Sequence, residues 1–195
     1  MSRDPASVTL IAVSKTQPID NVRKLYDLGH REFGESRLQE LIPKAESLPK
    51  DIVWHFIGKL QSNKIRKASE ICQVLHTIES ESQIQEFSKF SKQIDILIEV
   101  NIANERQKSG IFAKSLDGTH HSVIQSDQAK FRGLMTIGPI VREAEDSRPY
   151  FAELRRLNER LGGDWLSMGM SKDFGVAIQE GATHIRVGTS LFGER

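Results

Sequence analysis

Short apolar runs alternate with amphipathic stretches along the whole chain, and this alternation restricts the fold more than any other feature. Strands are expected near Val8–Ser14, Glu32–Ser36, Ile52–Gly58, Val74–Ile78, Asp95–Ile102, Phe131–Gly138, Trp165–Met170 and Thr183–Val187. Helical patterns lie near Ile19–Leu28, Arg37–Leu48, Ser62–Ile71, Glu81–Phe90, Arg148–Leu161 and Asp173–Glu180. The strand at Asp95–Ile102 is rich in branched residues, as a strand buried on both faces should be. Ile84, Phe87 and Phe90 recur at helical spacing. Eight strands separated by helices predict a single α/β domain, residues 1–195, folded as a (β/α)8 TIM-type barrel; a doubly wound open sheet is the alternative.

Two places fit that pattern poorly. The segment Phe112–Lys130 holds Asp117–Gly118 and His120–His121, shows no clear periodicity, and reads as a poorly formed helix or an irregular loop. The chain also begins almost at the first strand and ends just after the eighth. The groove between those two strands is therefore expected to be exposed apolar surface or to be covered by a partner.

Composition narrows the function classes. Lys and Arg number 27 against 26 Asp and Glu, a net charge of +1. That balance gives no electrostatic case for nucleic acid or an acidic membrane. One cysteine, Cys72, excludes an intramolecular disulfide and fits a reducing compartment. No apolar run approaches the roughly 20 residues that span a bilayer, and the opening MSRDPAS is too short and polar for a signal peptide. A cytoplasmic protein is the expectation.

Lys15 carries the sharpest chemical signal. The apolar stretch Val8–Val13 stops at Ser14, Lys15, Thr16, Gln17 and Pro18, and Pro18 forbids extension within a sheet. The cation thus sits at the carboxyl end of a strand, where barrels and open sheets keep their active sites. With its stem walled by apolar neighbours, such a lysine can lose its proton and attack an aldehyde. The plainer reading is a strand-end lysine pointing into water.

The segment LSMGMSKDFGVAIQEGATHIRVGTSLFG supplies a second signal. Ser171 is placed to cap the helix that follows the seventh strand. Arg186, Gly188 and Thr189 follow at the eighth, where Gly188 permits close backbone approach and Thr189 offers a hydroxyl and an N–H. In barrels the loops after strands seven and eight form the usual phosphate site, so this set suits a phosphate monoester. Taken singly, Arg186 reads equally well as a structural ion-pair residue and Ser171 as an ordinary cap. His55 alternates with Phe56, so one of them points into the barrel, with a hydrogen-bonded core role expected for the histidine. Met135 and Met168 either line a ligand or simply pack. Gln61, Asn63 and Lys64 read as a loop and helix start. His120 and His121 lack further metal ligands at suitable spacing, and no metal is expected.

The stretches LIAVSKTQP, FGESRLQE, WHFIGKLQSNK, EVNIANERQKSG, RGLMTIGP, LSMGMSKDF and IRVGTSLFG resemble the pyridoxal phosphate homeostasis proteins. That family is similar to the N-terminal barrel of alanine racemase. The resemblance implies that Lys15 holds pyridoxal 5′-phosphate as an internal Schiff base and that Ser171, Arg186, Gly188 and Thr189 surround its phosphate. It also implies a monomer. Three departures stand out: Ser36 where the family usually has asparagine, no helix before the first strand, and the irregular Phe112–Lys130. Racemases of this kind use a tyrosine from a second domain as their second base. The tyrosines here, Tyr26 and Tyr150, lie on expected outer helices. The resemblance therefore implies a protein of vitamin B6 homeostasis that binds the cofactor without substantial catalytic activity, with apoenzymes that use the cofactor as its candidate partners. An amino-acid racemase or lyase using Lys15 is the alternative.

Overall fold

The branched, doubly buried runs all become parallel strands. In a computed structural model, which describes residues 4–193, the first half runs β1 (Thr9–Val13), α1 (Ile19–Asp27), β2 (Glu32–Glu35), α2 (Leu38–Ser47), β3 (Val53–Phe56), α3 (Ile65–Ile71), β4 (Val74–Ile78) and α4 (Glu81–Phe87). The second half runs β5 (Ile94–Glu99), α5 (Leu116–Ile124), β6 (Ala129–Met135), α6 (Arg148–Arg160), β7 (Trp165–Ser167), α7 (Phe174–Gln179), β8 (His184–Val187) and the short α8 (Thr189–Phe192). The strands follow chain order around a closed barrel. Closure is made by β8 pairing with β1, where Leu10 lies beside Ile185 and Ile11 beside Arg186. That pairing excludes the open sheet, whose edge strands would stay apart.

Local chemistry explains where helices begin. Ser80 starts α4 with a capping box: its Oγ accepts from the Gln83 N–H, and Gln83 Oε1 accepts from the Ser80 N–H at 3.0 Å. Behind that cap, Ile84 and Phe87 are buried. Phe90 lies beyond the helix end, yet packs edge-on to Phe87 at 5.6 Å between centroids.

Two expectations are corrected. Phe112–Lys130 is neither a loop nor a poorly formed helix: a 3-10 turn at Ala113–Ser115 leads into the nine-residue α5. Leu116, Thr119 and Val123 are its buried face. They stand at helical spacing, but the buried threonine and the intervening Gly118 hide the pattern. The groove between β8 and β1 is not an exposed apolar strip either. Ala12, Ile185 and Val187 are buried, Leu10 is half-buried, and Phe192 of α8 packs against the same core.

The main core lies between the strands and the surrounding helices. A smaller apolar cluster, Val74, Leu97 and Met135 with Trp165 against it, sits apart from that core. Ser167, His55, His76, His184 and Arg186 add a buried polar group to the interior.

Candidate functional site

A cavity of about 740 Å³ opens at the carboxyl ends of the strands. Lys15, Ser171, Arg186, Gly188 and Thr189, nominated separately from two ends of the sequence, all line it. The pairing of β8 with β1 brings these ends together.

Lys15 stands two residues beyond β1. Its side chain is exposed at the cavity wall rather than enclosed by apolar neighbours, a correction to the walled-in lysine expected from the sequence. What is buried is the support beneath it. Lys44 Nζ donates to the Ser14 carbonyl at 2.7 Å and to Glu35 Oε1 at 2.5 Å, and the Ser14 hydroxyl donates to the same carboxylate oxygen at 2.8 Å. The Ser14 carbonyl belongs to the peptide that joins Lys15, so this ion pair fixes the lysine's backbone. On the other side, Thr16 has φ 64°, a conformation that costs a β-branched residue about 1–3 kcal/mol. Its N–H donates to Glu40 Oε2 at 2.5 Å, which holds it there.

The loops after β7 and β8 line the same cavity, the second of them beside the end of β1 that carries Lys15. Ser171 does not cap α7, as the sequence suggested; its Oγ accepts from the Ser190 N–H at 3.4 Å and draws the two loops together. Asp173 organises the first loop instead. Its Oδ1 accepts from the Met170 N–H at 2.7 Å and its Oδ2 from the Ser147 hydroxyl at 3.0 Å. A Cβ on Gly188 would lie 3.3 Å from the Val13 carbonyl, so a larger residue would crowd the wall. Gly58, opposite, is more demanding still: a Cβ there would meet the Ser36 carbonyl at 2.2 Å.

Arg186 lies deeper than a surface phosphate ligand. Its guanidinium donates to Ser167 Oγ at 2.6 Å and to the Thr136 carbonyl at 2.7 Å, forming part of the cavity floor. Burial brings its pKa down to about 10, with Glu99 and Asp173 pulling the other way. Glu99, at the end of β5, was missed in the sequence because one glutamate inside an apolar strand has no motif around it. It is buried on the cavity wall, and burial, then the Glu79 carboxylate, pushes its pKa up to about 7 against Arg186 and Lys59.

Other nominated residues have structural places. His55 points inward and is hydrogen-bonded, as expected. Met135 and Met168 are buried in packing, and Met170 lines the cavity instead. Ser36 also lines it. The stretch EVNIANERQKSG folds over Asn101, whose Nδ2 donates to the Glu105 carbonyl at 2.7 Å and whose Oδ1 accepts from the Glu105 N–H at 3.0 Å. That turn delivers Lys108 and Ser109 to the cavity. His120 packs edge-on to Phe131.

The sequence matches the family described as alanine racemase, N-terminal domain, over residues 2–195. A pyridoxal phosphate homeostasis protein from Aquifex aeolicus is 41% identical across 95% of this chain and 86% of its own. The chain belongs to this family. Among solved structures, PipY of Synechococcus elongatus without PLP superimposes with a TM-score of 0.90 at 38% identity, covering 97% of this chain and 94% of that one. PipY with PLP bound gives 0.86 at 37% identity, covering 98% and 95%.

Proposed function

We propose that this protein is a pyridoxal 5′-phosphate-binding protein of intracellular vitamin B6 homeostasis, acting as one domain. One observation carries the reading: the single cavity that gathers Lys15, Ser171, Arg186, Gly188 and Thr189. The residues suit the cofactor. The cavity volume falls within the roughly 300–1,000 Å³ of small-molecule sites. Its wall offers an amine for the aldehyde, together with hydroxyls and a side-chain-free glycine for a phosphate. Relatives named for pyridoxal phosphate homeostasis and the PLP-bound PipY structure support the same cofactor.

Bound pyridoxal phosphate supplies a reactive aldehyde and an electron-withdrawing ring. Lys15 would hold its aldehyde carbon through a reversible covalent bond, and Ser171, Gly188 and Thr189 would hold its phosphate. Arg186, fixed in the floor by Ser167 and Thr136, adds positive charge beneath the ligand. Exposure of the Lys15 side chain suits exchange with solvent. The protein works as a cytoplasmic monomer that limits free aldehyde and passes cofactor to apoenzymes, without substantial catalysis. Neither tyrosine lines the cavity: Tyr26 donates to Asp51 at 2.7 Å on the outer surface, and Tyr150 lies on α6. No helix among the described residues is long and apolar enough to cross a membrane.

Borohydride reduction of loaded protein should fix one phosphopyridoxyl group on Lys15, and Lys15→Ala should abolish it. Labelling of any other residue overturns the assignment. Fast exchange of an amino acid's α-proton into deuterium oxide would favour the racemase reading over the carrier.

A further inference from the structure

Arg186 ends a hydrogen-bonded chain that crosses the barrel. Beyond its bond to Ser167 Oγ, that hydroxyl lies 2.9 Å from His76 Nδ1, His76 Nε2 lies 2.8 Å from His55 Nδ1, and His55 Nε2 lies 2.7 Å from Glu32 Oε2. Ser167 is on β7 and His76 on β4, strands that are not neighbours in the closed sheet. Their bond can therefore run only through the interior. Glu32 opens β2 at the amino end with its side chain 33% exposed, whereas Arg186 lines the cavity at the other end. Neither terminus of the path is visible from the other.

The end groups dictate its polarity. A guanidinium only donates and a carboxylate only accepts. Ser167 Oγ accepts from Arg186 and passes its own proton toward His76 Nδ1. His76 then carries its proton on Nε2 and donates to His55, and His55 donates from Nε2 to Glu32. With both rings neutral, every bond points one way. The reverse order would require Glu32 to donate a proton and Ser167 to find another acceptor for its own. Burial, followed by the neighbouring His55, His184 and Arg186, holds His76 well below the ordinary imidazole range, in keeping with a neutral ring. The His184 ring lies 6.1 Å from both other imidazoles and is itself pushed down to about 3, chiefly by burial. Arg132 faces His184, and Glu99 and Asp173 face Arg186. A guanidinium cannot accept, so the path cannot serve as a proton relay into the cavity.

We propose that Ser167, His76, His55 and Glu32 are positioning residues, a one-way strut that sets the Arg186 guanidinium beneath the cavity and ties its charge to a carboxylate at the opposite end of the barrel. The strut itself is independent of any ligand; only its effect on cofactor binding rests on the function proposed above.

Two measurements separate these points. In protein free of cofactor, two-bond proton–nitrogen NMR of histidine-labelled chain should show His76 and His55 both protonated on Nε2, with Nδ1 accepting. A proton on His76 Nδ1 overturns the strut, whatever the cavity binds. In loaded protein, Ser167→Ala should weaken pyridoxal phosphate binding about tenfold or more and shift the visible absorbance of the bound cofactor. Ser167→Thr, which keeps the hydroxyl, should recover affinity to within about threefold and restore the spectrum. Wild-type affinity and spectrum in Ser167→Ala would overturn the proposal. Failure of the wild-type protein to bind pyridoxal phosphate would instead sink the functional reading, and the tautomers would still decide the strut.

Discussion

The barrel interior and its carboxyl-end mouth are built from the same eight strands, yet they solve opposite problems. Inside, His76 and Ser167 are wholly buried and joined by directed hydrogen bonds. At the mouth, Ile140 is 97% exposed, Ile137 41% and Met170 40%, and the Lys15 side chain is open to solvent. A buried polar group must be paired, because an unpaired one costs about 1–3 kcal/mol. An exposed one is free to move. The contrast suggests a division of labour in which rigid groups below hold charge in place while the open rim admits and releases a ligand. Lys15 stands at the boundary, its side chain exposed and its backbone clamped by the buried Lys44–Glu35 pair.

The most damaging way to break that contrast is to remove one member of the clamp. Lys44→Met leaves Glu35 buried without its cation and should cost about 3–5 kcal/mol by chemical denaturation. Adding Glu35→Leu should recover much of the loss, since replacing both charges by apolar groups is often neutral. A loss under about 1 kcal/mol for the single variant would mean the pair does not clamp anything.

Acid should test the interior next. His184 titrates near 3 in the folded chain but near 6.5 when unfolded. The unfolded chain binds more protons between those values, so this contribution is full above about pH 6.5 and is lost as pH falls toward 3. His184→Gln should therefore lose less stability than wild type between pH 6 and 4.5, by about 1.4 kcal/mol per pH unit. Glu99 at the mouth has the opposite sign. Its folded pKa near 7 lies above the unfolded carboxylate value, so its contribution is present at low pH and lost as pH rises through 7. Relative to wild type, Glu99→Gln should gain stability from pH 5 to 7.5. Parallel curves for either variant and wild type would contradict the assigned titration.

The rim should be nearly indifferent. Ile140→Ser, at a site already in water, is expected within about 0.5 kcal/mol of wild type. A larger loss on thermal or chemical unfolding would show that the loop after β6 packs on something.

Much of this architecture is legible in the residues. Branched runs such as Asp95–Ile102 mark strands because a strand covered on both faces has no polar side to show. The break at Ser14–Pro18 places Lys15 at a strand end without reference to the rest of the chain. The region of α5 escaped because its buried face includes Thr119, a polar residue that burial alone turns into core. The exposed Lys15 side chain departs from the expectation for a related reason: spacing reports where a side chain leaves the backbone, not what surrounds its tip.

By itself, the sequence determined the number of strands, their order along the chain, and the strand end at which Lys15 stands. These follow from periodicity and chain breaks, which act within a few neighbours. Only tertiary structure decided that β8 closes onto β1, that Ser171 receives Ser190 rather than capping a helix, and that Glu32, His55, His76, Ser167 and Arg186 form one path. Those residues sit on five strands, and contacts across a closed sheet follow from its curvature, which no local spacing along the chain records.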